Sequence, residues 1–147
     1  MSLMQITQIK IGKNGEQLPD DATEWDALYI PEYGRMWSAD NVGDGRMNDV
    51  DATAACKALT LGGFTDWYEW SREEALAIVD LTKFNPAVDE RFLRNIKTDY
   101  WYRTSTEIAG SSDLVWGVYF SYGNVYNYNR YHRGLVRACR RVSPAGQ

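Results

Sequence analysis

The sequence predicts an α+β domain: two helices packed on a twisted antiparallel sheet, with the C-terminal half mostly strands. Three observations carry that prediction. Apolar residues recur at helical spacing in two stretches ahead of residue 82. Beyond Tyr100 the period changes to two, and Trp116, Val118 and Phe120 alternate with Gly117, Tyr119 and Ser121 as in a half-buried strand. Helical segments come before strand segments instead of alternating with them, which is the element order of an α+β fold. At 147 residues the chain suits one domain that buries its core without a metal or disulfide.

Residues 1–32 read as an N-terminal arm. Ile6, Ile9 and Ile11 suggest a short strand, ended by the turn Lys13-Asn14-Gly15. The opening MSLMQITQ has no charged region followed by an apolar one, so no signal peptide is expected in it. Residues 25–37 suggest one or two short strands, interrupted by Pro31 and Gly34. Asp40 to Asp51 is acidic and Gly-rich, but it lacks the alternating oxygen ligands of a calcium loop and reads as a hydrated turn. Asn48 can cap a helix whose Ala52, Ala55, Cys56 and Leu59 share one face and which stops at Gly62-Gly63. Ser71 and Glu74 form an S-x-x-E capping box ahead of Ala75, Leu76, Ile78, Val79 and Leu81. Phe84 to Ile96 is irregular, with a short helix expected at Pro86. After the alternating strand, Gly123-Asn124 is a turn, Val125 to Tyr128 runs back, and Leu135 to Val142 makes a last strand in the same C-terminal sheet. A tail of 143–147 follows.

Trp116 to Arg133 stands out chemically. It holds Tyr119, Tyr122, Tyr126, Tyr128 and Tyr131, half of the ten tyrosines, interleaved with Asn124, Asn127 and Asn129, and it holds the only histidine, His132. Tyrosine offers a stiff amphipathic surface with few angles to freeze, and asparagine adds adaptable donors and acceptors, which is the chemistry of a binding surface. In a core each phenol and amide would need its own partner. The plainer reading is a Tyr-rich sheet edge, since Tyr favours strands.

Other classes have less support. A net charge of −4 offers no basic stripe for nucleic acid. Arg130, Arg133, Arg137, Arg140 and Arg141 cluster late in the chain and leave room for a local anion patch. No apolar run approaches a membrane span. One histidine rules out a multi-histidine zinc site, and no nucleophile elbow, phosphate loop or C-x-x-C is present. The carboxylate pairs Glu73/Glu74 and Asp66/Glu69 read as structural. Neither catalytic residues, nor a metal, nor a cofactor are expected. Trp37, Trp67, Trp101 and Trp116 are expected in the core, and Arg137 is expected to brace it by pairing with Asp66 or Glu74.

Several pieces occur in a telling order: GRMW (34–37), the helix with Cys56 and Leu59, LGGFTDW (61–67), Ser71 with Glu74, Tyr100-Trp101, Ser105-Thr106-Glu107, Trp116-Gly117-Val118, Phe120, Gly123 and VRACR (136–140). Over about residues 33–141, within a domain read as 33–142, this set resembles the bacterial and phage family named for the C-terminal domain of a collagen-like adhesin. The resemblance implies a C-type-lectin-like fold in a family largely of unknown function. It also implies a setting on a virion or a bacterial cell surface.

The chain departs from that pattern in two places. The family reads DWRLP after its paired glycines, whereas Tyr68-Glu69-Trp70 follows Trp67 here. The family ends VRCVR, whereas Cys139 here stands one residue later, which turns it to the other strand face. The helix-to-last-strand disulfide implied by the resemblance, Cys56–Cys139, is therefore a candidate beside two free thiols.

The Tyr/Asn segment also resembles the variable region of proteins diversified by retroelements. Those systems mutate template adenines and scatter Asn codons among Asn, Tyr, Ser, Asp and His. Sugar-binding C-type lectins carry E-P-N or Q-P-D motifs; Gln17-Leu18-Pro19-Asp20 has an extra residue and lies too early, so no calcium site is expected. The fold relatives include formylglycine-generating enzymes, which need a reactive cysteine pair; Cys56 on an apolar helix face suits burial instead.

The expected function is thus a non-enzymatic ligand-binding or adhesion domain. Its contact face would comprise Tyr119, Ser121, Tyr122, Asn124, Tyr126, Asn127, Tyr128, Asn129, Arg130, Tyr131, His132 and Arg133. The expected partner is a protein or glycan receptor, with homo-oligomerisation giving avidity. The rivals are a structural virion or pilus subunit and a formylglycine-type enzyme.

Overall fold

The computed structural model describes residues 6–143. Residues 1–5 and 144–147 fall outside it, and with them the start of the expected arm, most of the segment read for a signal peptide and nearly all of the tail. The described elements are β1 Ile9–Ile11, β2 Gln17–Leu18, β3 Ala27–Ile30, β4 Arg35–Ser38, α1 Asp49–Lys57, β5 Tyr68–Glu69, α2 Arg72–Ala77, β6 Tyr102–Ile108, β7 Ser111–Tyr119, β8 Asn124–Asn129 and β9 Ala138–Arg141. A 3-10 turn at Pro31–Tyr33 joins β3 to β4. The strands make two antiparallel sheets, ordered β2-β1-β3-β4-β9-β5 and β6-β7-β8. The single C-terminal sheet expected from sequence is thereby corrected. After a bridge from Leu135 to Tyr102, the chain leaves the hairpin, and β9 inserts between β4 and β5, with Cys139 opposite both Trp37 and Tyr68.

The period of two sorts the larger sheet into faces. Ala27, Met36 and Ala138 join Ile11, Trp67 and the α1 residues Ala52 and Cys56 in one apolar cluster. Their strand neighbours Leu28, Ile30, Trp37 and Cys139 join a second cluster with Ala75 and Ile78 and with Tyr102, Val118 and Phe120 of the smaller sheet. Cys56 and Cys139 therefore lie in different clusters, and both are buried free thiols. No bridge joins them, for the register reason noted above.

Both helix starts follow their local signals, whereas α1 ends at Lys57, short of the expected Gly62-Gly63, as the Leu59 N–H turns back to Cys56 O. Asn48 Oδ1 accepts the Asp51 N–H at 2.9 Å. The Ser71 hydroxyl accepts the Glu74 N–H while Glu74 Oε1 accepts the Ser71 N–H. Helix α2 stops at Ala77, short of the expected Leu81, which is 83% exposed. The chain turns away because the Asp80 N–H donates to Ala87 O. No helix forms at Pro86. The N–H groups of Asn85 and Ala87 bond instead to Ser121 O and Phe120 O, lacing this segment to the β7–β8 turn.

Trp37, Trp67 and Trp101 are buried, and so are Trp25 and Trp70. Each of the five donates its indole N–H to a main-chain carbonyl, of Glu74, Leu61, Arg133, Phe92 and Arg103 respectively. Trp116 is the exception. It is half-buried, with the Arg72 guanidinium 5.2 Å from its ring centre. Arg137 is fully buried but touches neither Asp66 nor Glu74. It donates to Asn41 Oδ1, Ser38 O and Arg94 O, and burial lowers its pKa to about 10. Asp66 pairs with Arg140 and Glu74 with Arg35, so neither carboxylate is left for it.

Among the described residues the one ion pair buried at both ends is Arg103–Glu69, at 2.7 Å. It links β6 of the small sheet to β5 of the large one. Arg103→Met should leave the Glu69 carboxylate stranded and cost roughly 3–5 kcal/mol in urea unfolding. The double variant Arg103→Met/Glu69→Leu should recover most of that loss.

Candidate functional site

The β7–β8 hairpin positions the Tyr/Asn segment. Its register sets Tyr119 opposite Asn124, Gly117 opposite Tyr126 and Val115 opposite Tyr128. These side chains share one face. Val125, Asn127 and Asn129 share the other with Val118, Trp116 and Leu114. The contact surface expected as a unit is thus divided by the pleat.

The first face holds the most built arrangement. Tyr128 stacks on buried Trp101, with ring centres 3.9 Å apart and planes 15° apart. Tyr119 stands edge-on to Tyr126 at 5.8 Å. Tyr119, Ser121, Asn124, Tyr126 and Tyr128 line a shallow cavity of about 280 Å³. Burial, and then a hydrogen bond with Tyr119, raise the pKa of the Tyr128 phenol, so the rim offers neutral hydroxyls, an amide and ring faces. Such a set can stack on an apolar or sugar ring and hydrogen-bond its substituents. Gly117 is required beneath it. A Cβ there would stand 2.8 Å from Cδ2 of Tyr128 and closer still to Trp101.

The remaining expected contact residues have varied roles. Tyr122 is 62% exposed and stacks on Phe84 at 5.8 Å. Asn127 is exposed on the reverse face. Asn129 folds back, its Oδ1 accepting the Tyr131 N–H. Arg130 is a brace: it bonds Asp49 Oδ2 at 3.1 Å, Glu107 Oε2 at 2.8 Å and Ser112 O at 2.6 Å. Tyr131, His132 and Arg133 are exposed on the following loop. That loop is held by its carbonyls: Arg103 Nη1 donates to Arg130 O and His132 O, and Trp101 Nε1 donates to Arg133 O.

Sequence reasoning missed Leu81 and Phe84, exposed beside the β7–β8 turn, and missed Trp101 as the buried ring behind Tyr128. The available signal was that Leu81 and Phe84 outrun the helical apolar stripe. The arginine cluster does not form one patch. Arg137 is buried, Arg140 is engaged with Asp66 and with the Phe64 ring at 3.7 Å, and Arg141 lies over Tyr68. Among the described residues no three of His, Cys, Asp and Glu gather closely enough to hold a metal ion. No described helix is long and apolar enough to cross a membrane.

The family model described as the Lcl C-terminal domain matches residues 31–140, so the chain belongs to the Lcl C-terminal domain family. No curated protein matches it.

The Trp101–Tyr128 stack makes its own prediction. Gly117→Ala should cost about 1–3 kcal/mol through overpacking and should shift the near-ultraviolet circular dichroism as the stacked rings separate. Far-ultraviolet spectra should stay unchanged.

Proposed function

We propose that this chain is a non-enzymatic binding domain with a C-type-lectin-like fold, and that the Tyr119/Ser121/Asn124/Tyr126/Tyr128 cavity is where it grips a protein or glycan receptor. One observation carries the reading: neutral aromatic and amide side chains converge on an open concavity, and Trp101, the buried ring that backs Tyr128, is itself anchored by a main-chain hydrogen bond. Rigid aromatic anchors of this kind dominate binding energy because little conformational freedom is lost on contact. Tyr122 with Phe84, and Tyr131 to Arg133, extend the contact surface to either side. The setting that suits such a part is a phage receptor-binding tip or a bacterial surface adhesin.

The test is to screen glycan and host surface-protein arrays and then measure variants against each hit. Tyr126→Ala should weaken binding about thirtyfold or more, ~2 kcal/mol, as a central aromatic anchor. Lys57→Ala, on α1, should leave it unchanged. Equal binding by the Tyr126→Ala variant would remove the cavity from the proposal.

Diversification is the finer form of this reading. What favours it is that Tyr122, Asn124, Tyr126 and Tyr131 are exposed and make at most surface ring contacts, whereas Tyr128 and Arg130 are built into the fold. A near-repeat of the coding segment for Trp116 to Arg140, differing at adenines and lying beside a reverse transcriptase gene, is the expected flanking DNA. Its absence at this locus would withdraw the idea.

The enzymatic rival needs an accessible low-pKa thiol. Burial instead pushes the Cys56 thiol up to about 12 and raises that of Cys139 well above its ordinary value. Native protein should therefore react with iodoacetamide at both cysteines only as slowly as it opens, and rapidly once unfolded in urea. A fast stoichiometric reaction in the native state would revive the enzyme.

A further inference from the structure

We infer that the outer edge of β8 is a self-pairing edge, through which two copies of this chain join their small sheets into one continuous sheet about a two-fold axis at Asn127. The Arg130 N–H donates to Asp113 O at 2.8 Å, so the pair 113/130 is hydrogen-bonded. Antiparallel alternation then turns the amides of Asn124, Tyr126 and Tyr128 toward β7 and those of Val125, Asn127 and Asn129 outward. Trp116 O points the other way, toward β6, where Thr104 Oγ1 donates to it at 2.7 Å, as that alternation requires.

The far edge of the same sheet is closed. The N–H groups of Arg103, Leu135 and Ser105 donate to Leu135 O, Trp101 O and Trp70 O, each at 3.0 Å. Edge β8 is covered only at its end among the described residues, where the His132 N–H donates to Asn129 O at 3.0 Å; Val125 and Asn127 carry no such bond. It also lacks every device that blunts an exposed edge: residues 124–129, NVYNYN, contain no Lys, Arg, Asp, Glu, Pro or Gly, and the β7–β8 register runs without a bulge.

The edge is also self-complementary. In an antiparallel pair centred on Asn127, Tyr126 stands opposite Tyr128 of the second copy, and Tyr128 stands opposite its Tyr126. Val125 faces Asn129, and the two Asn127 amides meet as donor and acceptor. No like charges oppose each other along the strand. An isologous pair of this kind closes on itself and does not propagate. It would set the two Tyr/Asn cavities on one face of a shared sheet, a geometry suited to bivalent contact. The test is separable from any receptor, because Asn127, the residue it changes, lies on the face opposite the cavity.

Light scattering on the chromatographed protein tests it. The native chain should weigh twice its 16.8 kDa. Asn127→Lys and Asn127→Asp should each halve that mass, since like charges would meet at the axis, while far-ultraviolet spectra stay native. Mixing the two variants should restore the dimer. A native monomer at every concentration, a Lys variant that stays dimeric, or a mixture that stays monomeric would each overturn the proposal. If a charged variant fails to fold, Asn127→Cys decides: oxidised glutathione should link two copies through residue 127, and no link would overturn it.

Discussion

The arrangement depends on one buried guanidinium. Arg103 lies 1% exposed, with Nε on Glu69 and Nη1 on the carbonyls of Arg130 and His132. It is thereby bonded at once to the large sheet through β5, to the small sheet through its own strand and to the loop that follows β8. Burial raises the Glu69 pKa even with Arg103 beside it, so the pair is held in place against a real desolvation cost. An apolar pair could fill the same space with similar stability. What it could not do is bond two main-chain carbonyls of the loop after β8, and that bonding decides where Tyr131, His132 and Arg133 stand. The pair therefore supplies position more than stability.

A second constraint is aromatic. Trp101 is buried beneath the hairpin, and two glycines make room for it. A Cβ at Gly117 or at Gly134 would come within 3 Å of its ring. Tyr128 lies flat on that ring, and Tyr119 and Tyr126 lean in from the next positions on the same face. The cavity wall is thus a continuation of the core, which keeps it preorganised and lowers the entropy lost on contact. The segment Asp80 to Ala87 continues the surface on the other side of the turn, because its amides are laced to Phe120 and Ser121.

Parts of this were legible beforehand. The N-caps of both helices, the interruption at Pro31 and Gly34, the alternating strand β7 and the turn at Gly123 rest on signals within a few residues of each other, and each stands where its local chemistry puts it. The candidate site was legible as a segment but not as a surface. Alternation placed Tyr119 and Ser121 together, yet it could not show that Asn127 and Asn129 turn to the reverse face, since that follows from the loop length and pairing register of the hairpin. Arg130 read as a contact because nothing local marks it as a brace. Its partner Asp49 is 81 positions away.

The sequence by itself determined the two helices with their starts, the alternating strand β7 and the chemical character of the Tyr/Asn segment, because propensity, capping and period act over a turn or a strand. Only the tertiary structure decided the division into two sheets, the insertion of β9 between β4 and β5, the partners of Arg137 and Arg103, and the choice of which tyrosines share a wall. The choice of wall follows from the hairpin register, and the others rest on hydrogen bonds between residues 27 to 100 positions apart. Burial presses desolvated donors to find acceptors, and Arg72 Nε is the buried donor without one among the described residues. Which acceptor a donor finds depends on which segments the packing brings within 3 Å, and no local pattern in the chain records that.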